Sequence, residues 1–598
     1  CKRKLDIIIF IVFSFVAVNC AVVEDNGDVE EQGLYSKSDN VEILTRGNFD
    51  RKIYGKKHPW MVQFYNTYCG HCRSFAPKFK TAATDIIAWK NVIKLAVLDC
   101  SEEENNEICR EFEVMAYPSL RYFHEYYQKG RRNLGDFLIA PETADKFKAL
   151  ILFKMQNEQS LGRLTFAPPL KIESYATYTD VIRDVPKDTL YTFLIFENEN
   201  STTGCEIALD LNEFKNIRVK RAYGTSELAD VAGIMRFPGL LAIGPNLEAT
   251  QLTPINPVKT NLINAIKSFL QSRNYVLPTV GAAKVTTILA NNPSAPNLIN
   301  SDSDVVYYSD LEKTIKTSLH TEITRRKLLT GEPLQALINY LDVLISSFPF
   351  KGGNLKEYIT DLKNTLTTRT EWDGSDIYEL VTRLESTHSP VYISNLEYVG
   401  CKGSQSKYRG YTCGLWELYH TLLVNAADSP SLDGPKILRA LHGYVKHFFG
   451  CTDCANHFQA MAVKNKLFDV KDNDKAVLWL WISHNEVNLR LAGDVTEDPE
   501  HPKIQYPSVS KCPACRLPRG SWNLQAVFEY LQSVYGSNNI QDTRHTRSAV
   551  AVPSFSNLDI GMLSLLYILS FSILLLVIKL FLTKRFYRKH YKHGRGKV

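Results

Sequence analysis

The stretch PWMVQFYNTYCGHCRSFAPKFKTAATDII, residues 59–87, constrains the fold more than any other part of the chain. An apolar run with strand character ends at Tyr65, helical spacing is read from Ala76, and Cys69 and Cys72 stand at the hand-over. A helix N-terminus carries partial positive charge and stabilises a thiolate at the first cysteine, and His71 adds to that effect. Half of a zinc site or a structural disulfide are the competing readings, but a CxxC between strand and helix is the setting of a redox-active pair.

The same order continues from 34 to 155: strand, CxxC, helix, a strand in NVIKLAVLDC, a helix, then VMAYPSLRYFH, where Pro118 precedes a strand. This stretch resembles a thioredoxin domain of the protein disulfide isomerase kind, which implies a cis-proline loop at Pro118 beside the dithiol. It departs from that pattern in having Tyr68 where such domains usually carry Trp, a change expected to alter partner contacts and not the chemistry. Cys100 and Cys109 flank the acidic SEEENNEI, as a structural bridge or a second redox pair.

After the linking LTFAPPLKIE, residues 168–277 repeat the strand order in LYTFLIF, NIRVKRAY and RFPGLLAIG, with Phe237-Pro238 where Tyr117-Pro118 stood before. No CxxC is present in this second thioredoxin-like unit, which is therefore expected to be a spacer or binding platform. Cys205 reads as a buried free thiol, or as half of an intermolecular bridge. The region around 156–170 is the candidate hinge.

At 598 residues the chain needs several domains, roughly three to five. Its formal charge of +6 is no signal of nucleic-acid binding, because much of the excess lies in KRFYRKHYKHGRGK near the C-terminus. The basic, then apolar, then small residues of 1–20 have the pattern of a signal peptide, with an uncleaved anchor as the alternative. Residues 560–582 are apolar over about the 20 residues that a bilayer needs, so a single transmembrane helix is expected there, after a linker at 531–559. A buried core helix is the competing reading. The basic tail, 583–598, would then be cytoplasmic and the bulk luminal or extracellular. Asn200 begins an N-glycosylation triplet consistent with that side.

In an oxidising compartment disulfides persist, so the thirteen cysteines matter. Cys1 and Cys20 fall in the leader, and ten others lie in close pairs: 69/72, 100/109, 401/413, 451/454 and 512/515. Residues 285–390 have helical spacing without a chemical cluster and read as a structural spacer. Residues 391–530 are also helical but dense in Cys, His, Trp and Asn. FFGCTDCANHF places Cys451 and Cys454 after a helix, and with KCPACR a four-cysteine zinc site is conceivable. Zinc leaves the surroundings unexplained. In WISHNEVNLR, Trp481, His484, Asn485 and Asn488 share one helix face, and in YRGYTCGLWELYH so do Cys413, Trp416 and His420. Two such stripes suggest walls around a flat ligand with polar edges.

Together, CGHC, CTDC, WISHNEVN and the late CPAC resemble quiescin sulfhydryl oxidase: two thioredoxin-like domains joined, through a degenerate helical copy, to an Erv/ALR-type flavin domain. The resemblance implies FAD bound in a helical bundle at 391–530, with contacts from Arg409, Trp416, His420, Asp453, His457, Trp481, Ile482, Ser483, His484, Asn485, Glu486, Val487, Asn488 and Lys503. Tyr506 stands where the family commonly has another Trp. Cys100/Cys109, Cys401/Cys413 and Cys512/Cys515 would be structural bridges. The implied activity is disulfide formation in secretory or extracellular proteins, with electrons passing from CGHC through CTDC to FAD and then to oxygen, giving hydrogen peroxide. A Golgi membrane location, with release outside the cell as well, is implied. A disulfide isomerase-like folding factor without oxidase activity fits the first 280 residues alone, and a tethered binding protein with purely structural cysteines is the non-enzyme alternative.

Overall fold

The computed structural model describes residues 33–130, 133–278, 304–494, 497–542, 568–580 and 582–583. The expected signal peptide lies outside these residues, as does most of the expected linker and tail. Residues up to Asp542 form one compact unit and those from Thr543 a second.

The first sheet runs β1 (Glu42–Leu44), β3 (Lys94–Asp99), β2 (Trp60–Tyr65), β4 (Ser119–Phe123), β5 (Asp136–Leu138), with β2 parallel to β3 and antiparallel to β4. Every residue of β2 is buried, which is why WMVQFY, Gln63 apart, reads as an apolar run and not as an alternation. Helix α1 (Gly70–Asp85) starts immediately after Cys69, its N-cap, and packs on α2 (Ala144–Ser160) through Phe79 and Phe147, whose rings are 5.0 Å apart. The Tyr117-Pro118 peptide is cis.

The second sheet has the corresponding order: β10 (Ala249–Gln251), β9 (Gly239–Ile243), β7 (Tyr191–Glu197), β8 (Ile217–Tyr223), β6 (Ile172–Glu173). It is closed by α3 (Lys259–Ser272), and Phe237-Pro238 is also cis. The segment expected to be a hinge, 156–170, is packed instead. Leu164 and Leu170 are buried, Thr165 bonds Glu125 through its amide and hydroxyl, and Gln159 bonds both Pro168 and Leu170. Apolar contact comes from the neighbours of the prolines, with Phe166 and Ala167 packed on the same cluster as Leu164 and Leu170 while Pro169 itself is exposed.

The helices α4 (Tyr308–Thr317), α5 (Gly331–Ser347), α6 (Leu355–Leu366) and α7 (Gly374–Thr387) are no detached spacer. They share one core with α8 (Gly410–Ala427), α9 (Gly434–Phe448), α10 (Thr452–Lys464), α11 (Asn473–Leu491) and α12 (Leu524–Tyr535). Tyr340 of α5 lies 4.2 Å from Tyr444 of α9, ring to ring, and the hydroxyls of Tyr411 and Tyr444 are 2.7 Å apart. The bundle also runs past the expected boundary at 530: α12 ends at Tyr535, and Ile540–Gln541 pairs in parallel with Val306–Tyr307.

Among the described residues no helix is long and apolar enough to cross a membrane. Of the expected span, residues 568–580 and 582–583 are described and helical, with exposed apolar side chains such as Leu569 and Phe571; 560–567 and 581 lie outside the described residues.

Candidate dithiol relay and cofactor pocket

Cys69 and Cys72 are reduced and buried, while Cys451 and Cys454 are joined in a disulfide. Burial and the helix end act oppositely on the first pair. The Cys69 thiol falls to about 7, chiefly because Cys72 hydrogen-bonds to it, with burial opposing and the backbone at the start of α1 and His71 assisting. Burial pushes Cys72 up. The resulting asymmetry makes Cys69 the nucleophile and Cys72 the proton-bearing partner. The Cys69 thiol also faces the Tyr117 carbonyl, 3.9 Å away.

The two dithiols meet. Cys451 is buried within the apolar cluster of the first thioredoxin-like unit, and Cys454 packs against that cluster. His71 Nε2 lies 2.6 Å from Asp453 Oδ2, so the residues inside CGHC and CTDC pair with each other. Beside them Thr452 Oγ1 donates to the Met115 carbonyl at 3.4 Å, and Arg73 lies over the Tyr408 ring at 5.4 Å. Gly410 has φ +48°, and a Cβ there would come within 2.3 Å of the Tyr68 ring, so the aromatic position before CGHC is pressed onto the start of α8.

Residues that sequence reasoning assigned to a spacer support this junction. Arg325 pairs with Glu322 and lies 5.1 Å over the Tyr117 ring, while Glu322 Oε2 accepts from the Gly450 amide at 2.8 Å. Both side chains are almost wholly buried. Helical periodicity cannot flag such a pair.

The second cluster lies where α8 and α11 face each other. The Trp416 and His484 rings stack 4.1 Å apart, His420 stacks on Tyr535 at 4.7 Å, and His420 Nε2 is 3.3 Å from His484 Nδ1. Tyr535, on α12, was not anticipated. Burial drives His420 down to about 3 and His484 well down too, so both rings are neutral. Trp481 Nε1 and Asn485 Nδ2 both donate to the Tyr506 carbonyl, at 2.6 and 2.7 Å, and Asn488 donates to the Ile504 carbonyl at 3.0 Å. The amides of α11 thus hold the 504–507 loop. Ser483 is buried and Val487 packs on the core, whereas Ile482 is exposed and Glu486 turns to Lys464 at 2.5 Å. His457 is exposed on α10, and Asp453 is committed to His71. Arg409 donates to the Gly400 carbonyl at 2.8 Å and lies 3.3 Å from Cys413 Sγ. Lys503 is held below its usual value by desolvation, then by Arg409 and Arg73. Tyr506 donates to Asp304.

Cys100–Cys109, Cys401–Cys413 and Cys512–Cys515 are disulfides. With Cys451 and Cys454 bonded to each other and Cys512 to Cys515, these four offer no thiolates to zinc. Asn200 is exposed, just before the helix Thr203–Asp210.

Four family models match successive parts of the chain: thioredoxin over 40–135, the QSOX Trx-like domain over 166–260, the FAD-dependent sulfhydryl oxidase over 302–404 and Erv1/Alr over 413–507. Sulfhydryl oxidase 1 of Gallus gallus is 34% identical over 519 residues, covering 85% of this chain and 68% of that protein. The chain belongs to the sulfhydryl oxidase family. Human sulfhydryl oxidase 1 is 30% identical, with 85% and 68% covered, and human sulfhydryl oxidase 2 is 30% identical, with 84% and 73% covered. The protein is a thiol oxidase with FAD as its cofactor, and it forms disulfides with oxygen as the terminal oxidant.

The side chains gathered between α8 and α11 suit that cofactor. Three buried polar atoms there, Arg409 Nε, His420 Nδ1 and Glu417 Oε2, have no hydrogen-bond partner in the protein. A buried polar atom left unmatched is costly, so these mark where a ligand's polar groups would complete the pairing. Neutral stacked rings beside them suit a planar heterocycle. Burial, and Asp310 after it, raises the Glu417 carboxyl to about 8, leaving it able to donate a hydrogen bond near neutral pH.

Proposed function

We propose that the chain oxidises thiols of secretory and extracellular proteins through an ordered relay: substrate to Cys69–Cys72, then to Cys451–Cys454. The carrying observation is Cys451 seated in the cluster that surrounds Cys69, with His71 paired to Asp453 beside it. A substrate thiolate attacks the Cys69–Cys72 disulfide, and exchange through a mixed disulfide leaves this pair reduced. Cys69, as thiolate, then attacks Cys451 Sγ and Cys454 leaves as thiolate. Cys72 next attacks Cys69, its proton passing to the departing Cys451, and the first pair is again a disulfide. Bound FAD supplies the two-electron acceptor for the second pair and the outlet to oxygen as hydrogen peroxide.

For FAD we assign Trp416, His420, His484 and Tyr506 to stacking and loop support, Arg409 and Lys503 to anionic groups, and Asn485 and Asn488 to holding the surrounding loop. We also propose that residues 560–582 anchor the protein in a secretory membrane as a single-pass span with Golgi residence, and that Asn200 is glycosylated. The length and apolarity of that segment support the anchor.

Cys69 is only 2% exposed and Cys72 is fully buried, so a folded protein cannot reach them while the two dithiols are in contact. Cys451 is 5% exposed, too enclosed for a protein thiol to attack, so changing both Cys69 and Cys72 to Ser should abolish oxidation of a reduced unfolded protein, while dithiothreitol, small enough to attack Cys451, is still consumed more slowly. Cys454→Ser should stop turnover of both. Normal oxidation of protein thiols by the Cys69/Cys72 variant, followed by oxygen uptake, would overturn the order of the relay.

A further inference from the structure

We propose that the first thioredoxin-like unit is seated on the flavin bundle by two polar contacts, His71 on Asp453 at the rim and Arg325 against Tyr117 and Gly450 beneath, whose members are positioning residues that set Cys69 on Cys451. The proposal rests on the relay above and gives the helical region before the flavin bundle a role in it.

Each contact ties one redox loop to the other. His71 and Asp453 are the third residues of their motifs, each two positions beyond the reacting cysteine, and their 2.6 Å pairing fixes the rotation of one helix start against the other. Beneath, Glu322 takes the amide of Gly450, the residue before Cys451. A Cβ on Gly450 would fall 2.5 Å from Arg325 Nη1, so the guanidinium lies flush on that backbone. Its plane also covers the ring of Tyr117, whose carbonyl faces the Cys69 thiol. The planar, always-charged guanidinium suits a site that stacks and pairs at once. Burial works against its charge, and the Glu322 carboxylate outweighs that penalty, so Arg325 remains charged. A single buried pair thereby references both cysteines.

The two contacts differ in expected strength. Asp453 and His71 are 66% and 54% exposed, so solvent and salt weaken their attraction, whereas Arg325 and Glu322 are 4% and 2% exposed.

The test uses the full chain carrying Cys454→Ser, with Cys69–Cys72 oxidised. The Cys451 thiolate attacks Cys69, a Cys69–Cys451 bond forms, the Cys69–Cys72 bond breaks, and Cys72 leaves as thiolate and takes up a proton. Acid quenching followed by peptide mapping measures the bridged fraction, and flavin absorbance measures retained FAD. Asp453→Asn should lower the ratio of bridged to open protein about threefold, an effect that Asp453→Glu largely reverses and high salt erodes. Arg325→Met should lower it about tenfold or more, with Arg325→Lys recovering part. Should Arg325→Met fail to melt cooperatively, Tyr117→Leu removes the same contact from the other side and should lower the bridge by several-fold with FAD retained. An unchanged bridge in both Asp453→Asn and Tyr117→Leu overturns the proposal while leaving the relay intact. FAD loss in Asp453→Asn would move that residue to the cofactor site and overturn its half of the seat. No bridge at all in the Cys454→Ser parent defeats the relay and the seat together.

Discussion

The two thioredoxin-like units put different chemistry at the same place in one fold. After β2, the start of α1 receives a thiol, Cys69, which the helix end and Cys72 bring down to about 7. After β7, the start of the helix Thr203–Asp210 receives a carboxylate: Glu197 accepts from the Gly204 amide at 3.0 Å and pairs with the buried Arg221. Arg221 also donates to the Leu170 and Ser201 carbonyls. A helix N-terminus stabilises either anion. The thiolate is a nucleophile, whereas the carboxylate, matched by a guanidinium, is a permanent fastening. Both units keep a cis X-Pro at the matching loop, so that feature alone does not distinguish a redox site from a platform.

Breaking the fastening should have the largest effect. Arg221→Met leaves the fully buried Glu197 without its counter-charge, which costs about 3–5 kcal/mol. The midpoint of urea unfolding should drop accordingly, and adding Glu197→Gln should recover part of it. Thiol oxidation per folded molecule should stay near normal. An exchange defect in the folded fraction would mean that the second unit takes part in the chemistry.

The thiol should instead be exposed by pH. Cys69 must be a thiolate to attack, and with its value at about 7, exchange with Cys451 should rise about tenfold per pH unit below 7 and level off above it. Stopped-flow measurement of the internal exchange checks this. A profile rising to pH 9 would show that Cys69 behaves as an ordinary thiol.

A smaller effect concerns how the first unit is held by the helical region. His320 sits between Glu103 of the first unit, at 3.0 Å, and Glu385 of α7, with Lys316 near Glu385 and the Tyr378 ring edge-on. Burial lowers His320, but the two carboxylates outweigh it and its value is raised. The raised folded value means that its contribution is complete below about 6.5 and is lost as pH rises through the folded value. Contact between Cys69 and Cys451 should therefore weaken on going from mildly acidic to alkaline pH, by about 1 kcal/mol or less because Glu103 is 44% exposed. His320→Gln should flatten that dependence in the bridge assay, and an unaltered slope would remove His320 from the contact.

Much of this was legible because short-range pattern and chemistry agree. WMVQFY is buried on both faces, so apart from Gln63 its sequence is apolar without alternation, and Trp481, Asn485 and Asn488 share a face because all three serve the 504–507 loop. What escaped is non-local. Glu322 and Arg325 lie in a helical run whose periodicity describes only its own core, and their partners Gly450 and Tyr117 are far off in sequence on both sides. Tyr535 meets His420 only because α12 folds back on α8. At 156–170 the prolines mark a break in regular structure but say nothing of whether the break is packed, and here Leu164 and Leu170 are buried.

The smallest expected effect on turnover belongs to Cys205, the second unit's own cysteine near its helix start. It lies inside the helix Thr203–Asp210, and burial pushes it up to about 12, with Arg221 opposing and Glu197 and Glu206 adding to the rise. Near neutral pH Cys205 is therefore held as the thiol, whereas Cys69 is poised to ionise. Position near a helix end is therefore not enough: Cys69 is the N-cap residue with a thiol donor beside it, and Cys205 has neither advantage. Cys205→Ala should leave turnover unchanged and cost only about 1 kcal/mol, for a small buried group removed. Iodoacetamide should spare Cys205 in the folded protein, and non-reducing electrophoresis should show the same monomer for parent and variant. A covalent dimer that vanishes with Cys205→Ala would show that this thiol is reachable, and the contrast between the two helix starts would then be one of partner and not of reactivity.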